Sequence, residues 1–318
     1  MSSPSPLLTA KAVGSGSPAV ARRRPARSLR LRTRRAITAY AFLAPALIVL
    51  AVFLFYPSIE GFRVSLYNYN PFSQKFVGLA NYTTLLADPR FWNALKNTLV
   101  YAATTTILIL VISLALALLL NAKIAARSAT RLIVFIPYAL SMGVVSIVFT
   151  FLLDPDIGWY TYLAEKIGMP PIAFLRDPVW AMVAVIAVGV WKGVGYFMII
   201  FLAGLQQVPQ ELYDAAAVDG VNRWQRFRHV TLPLLSNSTM IVSVLLLIGG
   251  LQVFDQIYVM TEGGPYFSTE SLVGYIFNRG FGELKMGYAS AIAVIFTLMV
   301  GILTTIQVRH FNRRAVQF

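Results

Sequence analysis

The sequence predicts an all-α membrane protein with six transmembrane helices and both termini in the cytoplasm. Hydrophobic residues make up 57 % of the 318-residue chain, more than the roughly 45–50 % of soluble domains. Charged residues make up only 13 %, about half of the usual share. The mean hydropathy is +0.67, and the apolar residues occur in six long runs. These observations indicate that lipid surrounds most of the chain.

Each apolar run is long enough to cross a hydrocarbon layer about 30 Å thick, which takes roughly 20 residues of helix. The runs cover residues 37–57, 99–120, 132–153, 179–203, 240–260 and 288–308. Because lipid cannot hydrogen-bond to free backbone groups, we expect each run to be helical. The first run follows a basic segment, as in a signal peptide, but the apolar region of a signal peptide has only about 7–15 residues. We therefore predict a retained helix.

The runs divide the rest of the chain into tails and loops. Residues 1–36 are predicted to form a disordered, basic cytoplasmic tail, because the first 20 positions are rich in Ser, Pro, Gly and Ala. Residues 37–308 form the predicted six-helix transmembrane domain, and residues 309–318 a cytoplasmic C-terminal tail. The loop at 208–233 is predicted to be cytoplasmic.

The orientation follows from the distribution of Lys and Arg among the loops. The two tails and the loops after the second and fourth runs carry 18 of these residues, and the other loops carry eight. Since basic loops stay in the cytoplasm, this distribution predicts that both termini lie there. The net charge of +14 does not indicate nucleic-acid binding, because the basic segment 22–35 precedes a membrane helix and can be attracted to anionic lipid.

The residues of most catalytic and cofactor sites are missing from the sequence. The chain has no Cys and only two His, which argues against a metal centre. It contains no P-loop, no His-Glu-x-x-His and no Gly-x-Ser-x-Gly. Within the six runs, only Lys192 and Asp255 are charged. The sequence therefore predicts no enzyme activity and no bound cofactor or metal, and it indicates a permeation pathway energised by a separate protein.

The loop at 208–233 begins with the signals of a short helix. Pro209 suits a first helical turn, and Gly220 can end the helix in a left-handed conformation. Leu212, Ala215 and Ala216 have helical spacing and form a short apolar stripe of low relief. Small side chains on one face allow another surface to approach closely.

A second short helix is predicted to follow in the same loop. Asn222 can cap its start, and we expect Pro233 to end it before the fifth apolar run. The loop is therefore predicted to contain two short helices joined at a glycine hinge and projecting into the cytoplasm.

This loop resembles the EAA loop of permease subunits in binding-protein-dependent ABC importers. The family pattern is Glu-Ala-Ala, three residues, Gly, nine residues and then Ile-x-Leu-Pro. Here Asp214-Ala215-Ala216 precedes Gly220 at the same spacing, and Val230-Thr231-Leu232-Pro233 completes the pattern. Asp214 replaces the glutamate of the family pattern, and Val230 replaces the isoleucine.

Other segments resemble the sugar branch of this family, which is related to maltose and glycerol-3-phosphate permeases. These segments are 78–82, Pro137, 252–258 and 261–265, and the similarity extends from about residue 39 to residue 309. The resemblance implies a multi-pass protein of a bacterial or archaeal cytoplasmic membrane. The implied partners are a second, homologous permease, two ATPase subunits that use ATP and Mg, and an extracellular binding protein or lipoprotein.

The resemblance also implies that the loop contacts the ATPase subunits. The predicted contact residues are Glu211, Leu212, Asp214, Ala215, Ala216, Asp219, Gly220, Phe227, Leu232 and Pro233. The alternative is an ordinary amphipathic connector that faces lipid.

Five further residues are candidates for the translocation path. Lys192 lies in the middle of the fourth run, where a charge is costly and marks a path or a partner, although it can also snorkel or pair within the bundle. Trp191, Phe254 and Tyr258 offer faces on which a sugar can stack, but aromatic residues near the interface are commonly belt residues. Asp255 directly follows Phe254 and precedes Tyr258 by three residues.

Two glycine-rich segments have separate interpretations. Gly189 and Gly193 form a Gly-x-x-x-Gly pattern, which favours close helix packing. The segment 262–265 is predicted to lie outside the cell, where it could receive the binding protein.

Two other function classes remain open at this point. One is an ion-coupled secondary carrier, and the other is a non-transporting membrane scaffold, although neither explains the spacing in the loop. Oligosaccharides, trehalose-like disaccharides and glycerol phosphodiesters fit equally well as the solute.

Overall fold

The computed structural model describes residues 27–121 and 127–312, and the chain divides into two units, 1–57 and 58–318. Helix α1 (Arg27–Leu50) continues through a π-helical turn at Ala51–Phe55 into α2 (Tyr56–Val64). The apolar part of this helix is a candidate span at Ala36–Val64. Positions 1–26 of the predicted disordered tail lie outside the described residues. Positions 27–36, however, are helical, since they lack Pro and Gly and are rich in Arg and Leu, which favour a helix.

Three other apolar runs form long continuous helices and are candidate membrane spans. These helices are α4 (Pro89–Asn121), α8 (Pro178–Gln206) and α15 (Met286–Asn312). Asp177 caps α8, because its carboxylate accepts hydrogen bonds from two backbone N–H groups of the first turn at 2.8 and 3.0 Å. Helix α15 extends into the predicted C-terminal tail, of which positions 313–318 lie outside the described residues.

The run at 132–153 forms two helices instead of the expected single helix. These are α5 (Arg127–Ala139) and α6 (Met142–Leu152), and they are bent by 94° relative to each other. Pro137 lies near the end of α5 and has no N–H to continue the hydrogen-bond ladder. Ser141 is extended, with φ −62° and ψ 137°, so the chain leaves the helical conformation at this point.

The run at 240–260 is broken as well. Three residues separate helix α12 (Ser236–Leu251) from the short α13 (Asp255–Met260). Gly250 packs closely against α4, since a Cβ on it would lie 2.9 Å from the Cα of Ala102. The described part of the chain has four continuous candidate spans, or up to six if each of two bent helix pairs is one span.

Short elements lie between the spans. They are β1 (Tyr67–Asn70), β2 (Ser73–Phe76), α3 (Ala80–Leu86), α7 (Trp159–Lys166) and α14 (Leu272–Phe277), the last followed by a π-helical turn at Asn278–Gly282. The strands pair antiparallel, with Tyr67 opposite Phe76, and no strand was expected from the sequence. We call the end of the bundle that carries this hairpin the hairpin end, and the opposite end, with the loop 208–233, the loop end.

Helices α4 and α8 run side by side through the centre of the second unit. Gly189 and Gly193 of α8 face α4, where a Cβ on Gly193 would lie 2.9 Å from Ile109 Cδ1 and one on Gly189 would overlap the hydroxyl of Tyr101. The Gly-x-x-x-Gly pattern therefore serves helix packing, which was its predicted role.

Candidate functional site

The loop at 208–233, which we call the EAA-like loop, begins with α9 (Gln210–Val218). Pro209 lies at the N-cap, just before the predicted first turn. At the other end Gly220 has a φ of +69°, which is the predicted left-handed conformation. The backbone N–H groups of Gly220 and Val221 donate to the carbonyls of Ala217 and Ala216 at 3.2 and 3.1 Å. These two bonds close α9 as a Schellman motif.

The second half of the EAA-like loop starts at a capping box, as the sequence predicts for Asn222. The side chain of Asn222 accepts from the N–H of Gln225 at 2.8 Å, and the Gln225 side chain accepts from the N–H of Asn222 at 3.0 Å. The segment then comprises α10 (Arg223–Arg226), a π-helical turn (Phe227–Thr231) and α11 (Leu232–Leu234).

Pro233 does not end this segment, which corrects the prediction. It lies in the first turn of α11, where the missing N–H of proline is tolerated. The chain instead bends by 69° between Arg223–Leu234 and Ser236–Leu251. The bend joins the EAA-like loop directly to α12.

A groove of about 610 Å³ lies between the two halves of the loop, and we call it the first groove. It is lined by Leu212, Ala215, Ala216, Asp219, Gly220, Val221, Gln225, His229 and Val230. The predicted apolar stripe therefore forms one wall of the first groove. Ala216 is only 7 % exposed, so the loop itself already covers this methyl group.

The other predicted contact residues are spread over the loop, and Asp219 also lines the first groove, whereas Phe227 does not. The carboxylate of Asp214 is exposed and accepts from the Nε2 of Gln210 at 3.3 Å. Phe227 is half-buried and packs against Trp224, with ring centroids 5.6 Å apart. Glu211, Asp219 and Leu232 are exposed and Pro233 is half-buried. Val218, which the sequence analysis did not single out, is 88 % exposed.

Lys192 lies at the break between α5 and α6. Its Nζ donates to the backbone carbonyl of Tyr138 at 3.0 Å and lies 4.9 Å from the centroid of the Tyr138 ring. The ring of Tyr138 is stacked on that of Tyr196 at 4.3 Å. Trp191 is 45 % exposed and makes an edge contact with Phe149. Lys192 therefore satisfies a carbonyl that the helix break would leave without a partner.

The other path candidates form a separate group at α13. The rings of Phe254 and Tyr258 are stacked at 5.1 Å, and both pack against Phe277. Asp255 is exposed beside them. Neither Asp255 nor Lys192 belongs to an ion pair within the described residues. It instead links α13 to α4 through a buried hydrogen bond from Gln256 to the hydroxyl of Tyr101, which the sequence analysis missed.

A buried ion pair at the hairpin end was also missed. Arg90 donates two hydrogen bonds to the carboxylate of Glu270, at 2.8 and 2.7 Å, and the Glu270 side chain is only 2 % exposed. The side chains of Asn93 and Asn97 donate to the carbonyl of Phe267 at 2.7 and 2.9 Å. These bonds fasten the glycine-rich loop after α13 to the start of α4.

A second network adjoins this ion pair. Asp88 accepts hydrogen bonds from the hydroxyls of Tyr275 and Tyr288, and Arg279 lies 3.5 Å from its carboxylate. Burial alone would raise the pKa of Asp88, but the two tyrosine hydrogen bonds, a backbone hydrogen bond from Arg90 and the charge of Arg279 together lower it. Asp88 is thus held as a carboxylate that joins α4, α14 and α15.

The chain is similar to a known family of membrane transport proteins. The model of the family described as "Binding-protein-dependent transport system inner membrane component" matches residues 109–317. The lactose transport system permease protein LacF of Rhizobium radiobacter is 36 % identical over 277 residues, which cover 85 % of this chain and 93 % of LacF. The trehalose/maltose transport system permease protein MalF of Thermococcus litoralis is 32 % identical over 287 residues, which cover 89 % of this chain and 97 % of MalF.

A solved structure of an ABC transporter is also similar to this chain. A chain of a bacterial ABC transporter involved in the import of the acidic polysaccharide alginate matches with a TM-score of 0.81 and 26 % sequence identity. The match covers 90 % of this chain and 99 % of that one.

These matches confirm the resemblance on which the EAA-like loop was identified, and they confirm a helical, multi-pass membrane protein. The family match spans more than half of the chain and includes the whole EAA-like loop. The chain therefore belongs to the family of inner membrane components of binding-protein-dependent transport systems.

Proposed function

We propose that the chain is the permease subunit of an ATP-driven ABC importer and forms half of the translocation path for a sugar or sugar-like solute. Relatives named for the transport of lactose, trehalose/maltose and arabinooligosaccharides support this class of solute. The observation that carries the proposal is the EAA-like loop, where the family spacing coincides with a helix closed by Gly220 and with an open groove. A second, homologous permease would supply the other half of the path.

The partner proposed for the EAA-like loop is an ATPase subunit, one of two in the assembly. Its surface would contact α9 at the first groove, where Leu212 exposes apolar area, and Val218 exposes further apolar area at the end of α9, outside the groove. ATP and Mg²⁺ would bind to that partner, and this chain would supply no catalytic group. Because the loop continues through one bend into α12, movement of the ATPase would reach the membrane helices along this connection.

An extracellular binding protein is the partner proposed for the hairpin end. A related structure contains an alginate ABC transporter together with an alginate pentasaccharide-bound periplasmic protein. In this chain, the segment 262–265 leads to Tyr266, whose side chain is 92 % exposed. The buried ion pair between Arg90 and Glu270 holds this loop in place for such a contact.

The proposed function is tested by uptake into proteoliposomes that contain the chain with its second permease and ATPase subunits. We expect uptake of a labelled disaccharide or oligosaccharide only with ATP on the ATPase side and binding protein on the other. Uptake that follows an ion gradient without ATP would favour a secondary carrier, and the absence of any flux would favour a scaffold. Calorimetry on the binding protein encoded nearest to this chain would identify the solute.

The proposed orientation, with both termini in the cytoplasm, leads to a labelling prediction. Ser73→Cys, on the exposed strand β2, should react with an impermeant thiol reagent added outside intact cells, whereas Ser128→Cys should not. The natural chain has no Cys, so there is no background labelling. Thr161 is unsuitable as a labelling site, because it is only 7 % exposed. Labelling of Ser128→Cys from outside would reverse the orientation.

The proposal that Lys192 borders the translocation path gives a second prediction. Lys192→Met removes the charge and the hydrogen bond to the Tyr138 carbonyl, and we expect it to change the KM or the solute preference of uptake. Lys166→Met, which removes the charge of an exposed lysine at the end of α7, is the matched control. If Lys192→Met lowers only the melting temperature and leaves the KM unchanged, Lys192 is a structural residue that stabilises the helix break.

A further inference from the structure

A second groove lies on the other side of the EAA-like loop, with a volume of about 540 Å³. It is lined by Leu118, Asn121, Leu205, Gln210, Tyr213, Arg223, Trp224, Arg226, Phe227 and Thr231. We call it the arginine groove. It shares no lining residue with the first groove.

The two grooves lie on different faces of α9. Leu212, Ala216 and Asp219 line the first groove, and their spacing of four and three residues places them on one side of the helix. Gln210 and Tyr213 line the arginine groove and lie on the opposite side, because each residue turns the helix by about 100°. A group bound in the first groove therefore does not occupy the arginine groove.

The charge of the arginine groove is positive and uncompensated. Arg223 is exposed and Arg226 is half-buried, with its guanidinium 5.8 Å from the centroid of the Tyr213 ring. No carboxylate lines the groove, and none forms an ion pair with either arginine within the part of the chain that the structure describes. Two guanidinium groups without an acidic partner favour an anionic ligand, and their planar donors fit phosphate oxygens.

The remaining walls of the arginine groove are apolar and aromatic. Leu118 lies in the last turn of α4 and Leu205 in the last turn of α8, two candidate membrane spans. Trp224 is 65 % exposed and packs against Phe227, and Trp is enriched where a membrane meets water. The groove therefore combines cationic side chains with an apolar floor at the end of the membrane helices.

We propose that the arginine groove binds an anionic phospholipid, with the headgroup phosphate on Arg223 and Arg226 and the start of an acyl chain along Leu118 and Leu205. Basic pockets between membrane helices on the cytoplasmic side bind anionic headgroups. An acidic surface of the ATPase fits less well, because the apolar floor continues into the membrane-spanning helices. The proposal goes beyond the transport function and does not depend on the solute. The lipid would brace α9 against the ends of α4 and α8.

The test is retention of lipid by the purified full-length chain, measured by native mass spectrometry after exchange into phosphatidylglycerol or phosphatidylcholine. Arg223→Gln/Arg226→Gln should lower the retention of phosphatidylglycerol on the order of tenfold relative to the natural chain, because each basic residue near the surface strengthens attraction to anionic lipid. Retention of phosphatidylcholine should be equal in both proteins. Arg223→Lys/Arg226→Lys should keep part of the binding, because the charge remains.

Arg228→Gln is the matched control, since Arg228 is exposed in the same loop but does not line the groove. It should retain phosphatidylglycerol as the natural chain does. Equal retention in the Arg223→Gln/Arg226→Gln variant would overturn the proposal, as would displacement of the lipid by excess inorganic phosphate, which would indicate a site for a free anion. Loss of ATPase co-purification in that variant, with unchanged lipid, would assign the groove to a protein contact and also overturn it.

Discussion

Gly220→Val is expected to abolish coupled uptake while the chain still inserts into the membrane. Gly220 closes α9 with a φ of +69°, and a side chain with a Cβ pays about 1–2 kcal/mol in this left-handed conformation. A β-branched residue fits it least well. The valine variant should therefore open the Schellman motif and turn α9 away from the position in which we propose that an ATPase subunit contacts it. We expect lost ATPase co-purification, or ATP hydrolysis that no longer drives uptake.

Gly220→Asn is the control for this experiment. No heavy atom lies within 4 Å of the place where a Cβ on Gly220 would stand, so the cost of substitution comes from the backbone and not from a collision. Asn tolerates the left-handed conformation, and Gly220→Asn should keep most of the uptake. Asp214→Glu restores the family residue at an exposed position and should also be tolerated. Native uptake with coupled hydrolysis in Gly220→Val would show that this loop does not transmit the motion.

Ala216→Leu is a less direct test of the same contact. Ala216 is already covered by the loop, so a larger side chain would disturb the loop itself at a cost of roughly 1–3 kcal/mol. A defect in this variant would not separate docking from folding, which is why the substitution at Gly220 decides the question.

Glu270→Gln is expected to destabilise the chain strongly. The substitution removes the negative partner of Arg90 at a site where the glutamate side chain is 2 % exposed. Breaking one side of a fully buried pair costs about 3–5 kcal/mol, because the other charge is left uncompensated. The cost here should lie at the low end of that range, because the Arg90 side chain is 25 % exposed and water screens its charge. For a chain of this size such a loss lowers the melting temperature on the order of 10 °C. The loop after α13 should also become accessible to protease, since its anchor on α4 is weakened.

The measurement is thermal unfolding of the purified chain in detergent, followed by limited proteolysis. Glu262→Gln is the matched control, because Glu262 lies in the same loop and is exposed; it should unfold at the native temperature. Equal melting temperatures for Glu270→Gln and Glu262→Gln would mean that the buried ion pair contributes nothing to stability.

The sequence predicts the membrane spans well and their interruptions poorly. Runs such as 99–120 and 179–203 are apolar throughout, and lipid allows such runs only one backbone conformation. Pro137 contributes a local cause to the first break, but Lys192 from another helix bonds to the Tyr138 carbonyl there, and Gly250 packs against α4 shortly before the break at Asp255. A hydropathy profile does not reveal such contacts between helices, because it is calculated from the residues of each run alone.

In the candidate site, too, local features were predicted from the sequence and long-range contacts were not. The EAA-like loop was predicted in detail because its signals are local: Asn222 caps a helix three residues from Gln225, and Gly220 ends the helix just before it. Arg90 and Glu270 are separated by 180 residues, and nothing near either residue identifies the other. Buried polar pairs of this kind become visible only when the helices that carry them are placed side by side.

The separation of Arg90 from Glu270 also affects how the protein is made. A ribosome adds about 5–20 residues per second, so an interval of 180 residues lasts roughly 10–40 s. During that interval Arg90 has been synthesised but its partner Glu270 has not. Asp88 lacks its partner Tyr288 for longer, because Tyr288 lies 200 residues further along the chain. A chain that ends before Glu270 would therefore leave Arg90 and Asp88 without these partners.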